Sequence, residues 1–479
     1  MSPTYKKRRR RLRPSIVLTL FMLLALLIFG VGYAIFNAIT PEDAPIEDNV
    51  DVSSPVNNDD PTIEDEPITE DEPVNDNKPT KENDKPAKDD TPAKDDKPAK
   101  DDKPAKDDKP TKDDKPAKDN KPSTPSDPNE TRLSFVAAGD NLIHQAIIDD
   151  AKRLATERGL GEEYYFDSMY DDFRNQFKSA DISFINQESM IAGESFPYSG
   201  YPHFNTPPQM AKALENLGID VVNIATNHSF DLTGKGLLAC IDAFEDSSIT
   251  SIGGYNGKED YNNIRIIEKE GIKIAFLAYT YGTNEYAGSG YSNAIVPVIN
   301  NSEMTRQVAE AKKIADLVFV SMHWGTESSF DVSSAQKSAA QALTDAGVDV
   351  IIGTHSHTVQ PMEWRDRPDG GRTLITYSLG NFISTMHPAY NMFGGLLSLD
   401  IVKDKNGIRI ENPLYIPTMT HYSLTRDSLH VYYLEDYSQE LYEKHGTTLQ
   451  VAGWSYDKIV KTVKNTIDDE FLEDWILNY

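Results

Sequence analysis

Between Leu133 and about residue 385 the chain is written as short apolar runs separated by amphipathic segments, and this alternation restricts its fold more than any other feature. The runs are LSFVAAGD, ADISFINQE, IDVVNIATNH, IKIAFLAYT, ADLVFVSMHWG, VDVIIGTHSH and TLITYSLGN. Continuous apolar runs of this length suit strands that are covered on both faces. Between them, PPQMAKALENLG, TGKGLLACIDAFEDS, SEMTRQVAEAKKIA and SSAQKSAAQALTDAG carry helical spacing, and Gly218 and Gly347 fit helix C-termini. Strands alternating with helices predict an α/β fold built on a mainly parallel sheet with helices on both faces.

Nearly every apolar run ends in a group that can bind a cation or move a proton. These are Asp140, Glu188, Asn227 with His228, His323, His355 with His357, and Asn381. Open α/β sheets form their sites at the carboxyl ends of the strands, so these tips converge on one rim. One polar tip means little, because strands often end in polar residues; six carrying Asp, Glu, Asn and His point to a metal centre. His355 and His357 can present two imidazoles to one side. Asp140 and Glu188 supply hard oxygen ligands, Glu188 suits a bridge between two cations, Asn227 offers an amide oxygen, and His323 adds a third imidazole. Mixed imidazole, carboxylate and amide ligation suits one or two Mn²⁺, Zn²⁺ or iron ions and opposes a thiolate site. Two such ions can hold a phosphoryl or carbonyl group and activate water. His228 suits a general acid oriented by Asp231. Plainer readings exist for some of these: Asp140 suits a helix N-cap and Asn227 a tight turn. His144 and His203 read more simply as helix or loop residues, although His144 stands four positions after Asp140.

The start of the chain is of another kind. KKRRRRLR precedes a stretch, Ile16 to Phe36, without a charged residue. That is roughly the 20 residues that span a bilayer as a helix. The basic flank predicts that the N-terminus stays in the cytoplasm. The apolar stretch exceeds a signal-peptide core and lacks a clean A-x-A site, which favours an uncleaved anchor. Residues 41–131 hold almost no large apolar side chains; the first half is acidic and Pro-rich, and the second repeats a PAKDDK-like unit. Such a segment cannot bury enough surface to fold. Regular proline favours an extended stalk, reaching about 280 Å at ~3.1 Å per residue when fully extended. The single cysteine, Cys240, precludes an intrachain disulfide and reads as a small apolar residue inside a helix.

The stretches AAGDNLIH, FINQES, NIATNHSFDLTGKG, SMHWGTE, GTHSHTVQP and YSLGNF, in that order, resemble the CapA or PgsA type of capsule and poly-γ-glutamate synthesis proteins over roughly residues 133–385. The resemblance implies a calcineurin-like metallophosphoesterase fold: a β-sandwich with flanking helices and a two-metal site at one rim. Under it Asp140 is the first aspartate ligand, and Glu188 stands where the wider superfamily has a bridging aspartate. Asn227 is the asparagine ligand, His228 the adjacent acid histidine, His323 the isolated histidine, and His355 and His357 the closing pair. The wider superfamily begins Asp-x-His; here Asn141 and Leu142 follow Asp140, so one ligand of the first metal is missing or comes from elsewhere, such as His144.

Five parts are expected. They are a basic cytoplasmic tail (1–14), a transmembrane anchor (15–38), a disordered stalk (39–131), a metallophosphoesterase-type domain (132–390) and a C-terminal extension packed on it (391–479), ending in an amphipathic helix. The resemblance implies a single-pass membrane protein with an extracellular domain. It would assist synthesis or export of an anionic polymer beside membrane-embedded partners. No GxxxxGK[ST] loop is present, which argues against ATP-dependent ligation by this chain. The net charge of −28 offers nothing to nucleic acid and no long-range attraction for a polyanion. A free-standing surface metallohydrolase, cutting phosphate esters or amides, and a metal-free scaffold are the alternatives.

Overall fold

The computed structural model describes residues 130–446 and 453–479, apart from 289 and 292. The basic tail, the apolar segment 15–38 and the stalk up to residue 129 lie outside the described residues. Among the described residues, no helix is long and apolar enough to cross a membrane.

In chain order the strands are β1 (Thr131–Asn141), β2 (Ile182–Gln187), β3 (Val221–Asn223), β4 (Thr250–Ile252), β5 (Tyr255–Asn256), β6 (Arg265–Lys269), β7 (Ile272–Thr280) and β8 (Ala294–Ile295). There follow β9 (Leu317–His323), β10 (Val350–Thr354), β11 (Val359–Asp366), β12 (Arg372–Leu379), β13 (Asn381–Ile383), β14 (Phe393–Asp404), β15 (Gly407–His421) and β16 (His430–Tyr433). They form two main sheets, as the β-sandwich implied by the resemblance requires, although the alternation of runs alone points to one. The first has the order β16-β15-β14-β1-β2-β3-β4, with β13 paired to β1; the second has the order β11-β12-β10-β9-β7-β6. The first sheet is parallel from β1 to its β4 edge and antiparallel from β1 to β16; the second is parallel at its centre and antiparallel at both edges. Strands β14 to β16 extend the first sheet beyond β1, so residues 393–433 belong to the main architecture.

The sheets pack face to face. Phe135 of β1 meets Phe276 of β7 and Phe319 of β9, with ring centroids 6.5 and 5.1 Å apart. The period of two explains why the second sheet is read as continuous apolar runs. In β7, Ile274, Phe276 and Ala278 face the core between the sheets, while Ala275, Leu277 and Tyr279 face a separate outer core. That outer core is closed by the helices Asn301–Ala311 and Ser334–Ala346, through Met304, Val308, Ala340 and Leu343. Burying a side chain of this size stabilises by about 1.5–3 kcal/mol, which explains why both faces need cover.

The helices begin and end where local chemistry directs. Ser333 and Gln336 form a reciprocal capping box, and Asn300 accepts from the Glu303 amide. Gly218 and Gly347 terminate the helices Gln209–Leu217 and Ser334–Ala346 in the left-handed region, at φ 101° and 93°. Cys240 is buried within the helix Thr233–Glu245. The C-terminal segment is not one helix: Tyr456–Thr466 buries Ile459, Val460 and Val463 and stops at Ile467, and a short helix, Asp474–Leu477, follows.

Candidate metal centre

Parallel register brings the strand tips together. In the first sheet Asp140 is aligned with Asn186 of β2 and Asn381 of β13, and Asn186 with Asn223 of β3. In the second, Thr280, His323 and Thr354 are aligned at the ends of β7, β9 and β10. Gly353 is required just before this rim, because a Cβ there would collide with the Tyr377 carbonyl of β12. The chain then turns through His355 and His357 at φ 90° and 57°, in the left-handed region that non-glycine residues rarely occupy. Both imidazoles are thereby buried among the tips.

Asp140 is fully buried and anchors the first half of the site. Its carboxylate accepts from the Asn186 amide at 2.7 Å, from the His355 backbone N–H at 3.2 Å, and lies 3.1 Å from His357 Nδ1. His357 Nδ1 also lies 3.0 Å from Asn381 Oδ1. His323 joins the halves, with Nε2 2.9 Å from Asn227 Oδ1 and Nδ1 3.0 Å from the Thr354 hydroxyl. An amide oxygen only accepts, so Nε2 carries the hydrogen in this arrangement.

Glu188 is the unusual member. It is 1% exposed, and neither carboxylate oxygen has a hydrogen-bond partner among the described residues. Its Oε1 lies 3.7 Å from His323 Nε2 and 3.6 Å from His357 Nε2. His355 Nδ1 is likewise buried without a partner. A buried polar atom left unsatisfied costs about 1–3 kcal/mol, so such atoms call for an explanation. Asp140, Glu188 and His323 place ligand atoms within 4.8 Å of one another, and so do Glu188, His355 and His357. Two orphaned carboxylate oxygens of Glu188 with imidazole nitrogens of His323, His355 and His357 grouped around them fit a divalent cation.

The electrostatics agree with that fit. Burial raises the Glu188 pKa well above the carboxylate range, against the opposing charge of His357. Burial, then the neighbouring imidazoles, holds His323 and His355 well below their ordinary value, which keeps them neutral as ligands must be. Burial also works against a charge on His357, but Glu188 and Asp140 outweigh it and raise that imidazole to about 10. In the metal-free chain a proton on His357 therefore supplies positive charge between the two carboxylates.

His228 and Asp231 lie beside this cluster. His228 Nδ1 is 2.8 Å from Asp231 Oδ2, which also accepts from the Phe204 backbone N–H at 2.9 Å. The Phe204 ring meets the His228 ring edge to face at 4.7 Å. Because a carboxylate accepts, Nδ1 of His228 is the donor and Nε2 is left for proton transfer. The candidate ligands Asp140, Glu188, Asn227, His323, His355 and His357, with Asn381 and the His228–Asp231 pair, thus sit in one region.

Several partners were not anticipated. Asn186 holds Asp140, and Asn223 donates to Asn186 Oδ1 at 2.6 Å. The Tyr281 ring lies 4.5 Å from the His355 ring. The run FINQE offered a signal for Asn186, since it places a polar residue at the same strand tip as Glu188. His144 is close by but belongs to neither ligand group: Nδ1 accepts from the Thr385 amide at 3.4 Å, and burial, then His357, holds it down to about 4. Asn141 points instead into a buried network with Gln187 and Tyr170. His203 is exposed and lies 3.3 Å from Glu285.

A family model described as the bacterial capsule synthesis protein PGA_cap matches residues 134–386. The chain is 29% identical over 229 residues to the PGA biosynthesis protein CapA of Bacillus subtilis (strain 168), covering 47% of this chain and 59% of that protein. It is 31% identical over 188 residues to the capsule biosynthesis protein CapA of Bacillus anthracis, covering 38% of this chain and 44% of that protein. The matches thus span only about half the length of these relatives. Among solved structures it is similar to the calcineurin-like phosphoesterase YfkN from Bacillus subtilis, with a TM-score of 0.32 and 14% identity over 59% of this chain and 91% of that one. A score of that size carries no argument about chemistry.

Proposed function

Because the chain belongs to the bacterial capsule synthesis PGA_cap family, we propose that it is a membrane-anchored, extracellular accessory protein of capsule or poly-γ-glutamate synthesis or export, with a metal site of metallophosphoesterase type. The observation that carries the site is buried Glu188, whose two oxygens lack partners while imidazoles stand 3.6 and 3.7 Å away. Asp140, Glu188, His323, His355 and His357, with the Asn227 amide oxygen, would hold one or two divalent ions such as Mn²⁺, Zn²⁺ or Fe²⁺. When bound, such an ion supplies Lewis acidity toward a phosphoryl or carbonyl oxygen.

The chain's own residues do the rest. Asn186 and the His355 amide fix the Asp140 carboxylate. Asp231 fixes the His228 ring so that Nε2 can hand a proton to a leaving oxygen or nitrogen, and Phe204 packs against that ring and limits its rotation. This pair also favours a second reading, a free-standing surface metallohydrolase. In both readings residues 15–38 anchor the chain and the stalk holds the domain away from the membrane.

The first experiment is elemental analysis of the purified full-length chain beside a His355→Ala/His357→Ala variant. Near-stoichiometric metal that the variant loses while its circular dichroism stays unchanged supports the site. No metal in either protein after loading with Mn²⁺ or Zn²⁺ overturns the metal reading and leaves a scaffold. Turnover of a generic phosphodiester by the wild type, lost in the variant, would favour the hydrolase reading.

A further inference from the structure

The chain has a second polar feature next to this site, on the turn that joins β15 to β16. Arg426 sits there at φ 57° and Ser428 at φ 58°. Left-handed backbone is unfavourable for such residues and is kept only where the surroundings impose it. Here they do. The Arg426 amide donates to Ser423 O at 2.9 Å, and the Ser423 amide to Asp427 O at 2.9 Å. The buried Asp150 carboxylate takes the Ser428 and Leu429 amides at 3.3 and 3.0 Å. The turn is therefore rigid and holds Arg426 in a fixed place.

Arg426 is not used in an ion pair. Its neighbour Asp427 accepts from the Ser423 and Thr425 hydroxyls. Arg132 meets Glu130, Asp400 and Glu411, whereas among the described residues Arg426, like Arg158 and Arg372, contacts no carboxylate. Its Nη2 lies 2.8 Å from His387 Nε2. A guanidinium has five donors, so this contact leaves the rest of the fork open.

The pair adjoins the candidate metal centre. His387 follows Thr385, whose amide meets His144, and Met386, whose sulfur lies 3.6 Å from Asn381 Nδ2. Asn381 in turn contacts His357. A short run of contacts thus joins the Arg426 turn to the ligand cluster.

We propose that Arg426, backed by His387, is a carboxylate subsite at the rim of the Glu188 centre, positioned to hold a side-chain carboxylate of an acidic polyglutamate chain. This rests on the capsule-polymer reading and names a point of recognition within it. The fold as a whole is acidic, so a polyanion must be held by local cations; the bound metal would be one and the fixed guanidinium of Arg426 another.

The test is the binding of a short fluorescein-labelled poly-γ-glutamate, followed by anisotropy, to the metal-loaded full-length chain. Wild type is compared with Arg426→Gln, Arg426→Lys and Glu188→Gln, with thermal melting to report folding. Arg426→Gln should weaken binding roughly tenfold without moving the melt, and Arg426→Lys should restore part of it, since an ammonium keeps the charge but not the fork. Unchanged binding by Arg426→Gln together with weakened binding by Glu188→Gln would overturn the subsite and leave the polymer reading standing. No binding by the wild type would overturn both. Displacement of the polymer by inorganic phosphate but not by γ-glutamyl-glutamate would overturn the carboxylate assignment.

Discussion

Glu188→Gln should change the sign of its effect on stability when metal is added. In the metal-free chain both oxygens of Glu188 are buried without partners. Unsatisfied buried atoms cost about 1–3 kcal/mol each, and more when charged. Glutamine keeps the shape but removes the ionisable group, so the variant should gain about 1 kcal/mol in chelator. With metal the balance reverses. A ligand at 100 times its Kd stabilises the wild type by about 2.7 kcal/mol, and the variant loses most of that. Specific unfolding entropies near 2.1 cal/mol/K per residue put 1 kcal/mol at about 1.5 °C for a fold of this size. The variant should therefore melt about 1–2 °C above the wild type in EDTA and about 2–3 °C below it in Mn²⁺ or Zn²⁺ at 100 times the Kd. Differential scanning fluorimetry of the two full-length chains under both conditions decides the matter. A wild type whose Tm ignores every divalent ion tried, or a variant that gains the same metal shift, would refute the reasoning.

Other expectations follow from particular contacts. If the chain turns over a phosphodiester, Asp231→Asn should lower kcat by about 10²-fold or more without reducing metal content, because Asp231 orients His228 and the Phe204 segment and is not among the candidate ligands; steady-state kinetics beside elemental analysis test this. Gly353→Ala should destabilise by about 2–3 kcal/mol, since the new methyl meets the Tyr377 carbonyl, and a lowered urea midpoint or soluble yield would show it. Burial, with His445 and His430 nearby, lowers His421 from 6.5 to about 4. Its folded form binds fewer protons than the unfolded chain in that window, so stability is full above about pH 6.5 and declines toward pH 4. His421→Phe should lose less between pH 7 and pH 5 than the wild type in urea unfolding; equal losses would exclude His421 as a source of acid sensitivity.

The cluster was legible because ligands stand at strand ends, and strand ends are marked in the sequence by the stop of an apolar run. Asp140, Glu188, His323 and the His355–His357 pair needed only that rule. What the rule does not contain is which strands share a sheet. The apolar runs of β1 and β7 are alike in composition, yet one centres the first sheet and the other lies within the second, and the two sheets meet face to face where Phe135 packs on Phe276 and Phe319. The metal reading survives this difference because the carboxyl ends of both parallel cores open toward the same rim. Alternation alone thus places the right residues together for an incomplete reason, and the sandwich implied by the family resemblance supplies the second sheet.

Long-range pairing hid the rest. Asn381 is legible as the polar tip of the run TLITYSLGN, but its route to the site, by pairing β13 beside Asp140, is not. Residues 391–479 read from the sequence only as an extension packed on the domain; the pairing that the sequence does not show is that β14 lies antiparallel to β1 along most of its length, while β15 and β16 extend the sheet. That arrangement brings the turn after β15, with Arg426, beside His387 and the Asn381 loop. No periodicity in HYSLTRDSLH announces such a position, because what fixes it is the Asp150 carboxylate of a distant helix holding two backbone amides. The candidate metal centre is thus written in local strand endings, while the surface that would recognise a polymer depends on tertiary contacts spread over the whole fold. Substitutions at the two places should accordingly separate: changes at Glu188 should alter metal content and stability together, and changes at Arg426 should alter polymer affinity alone.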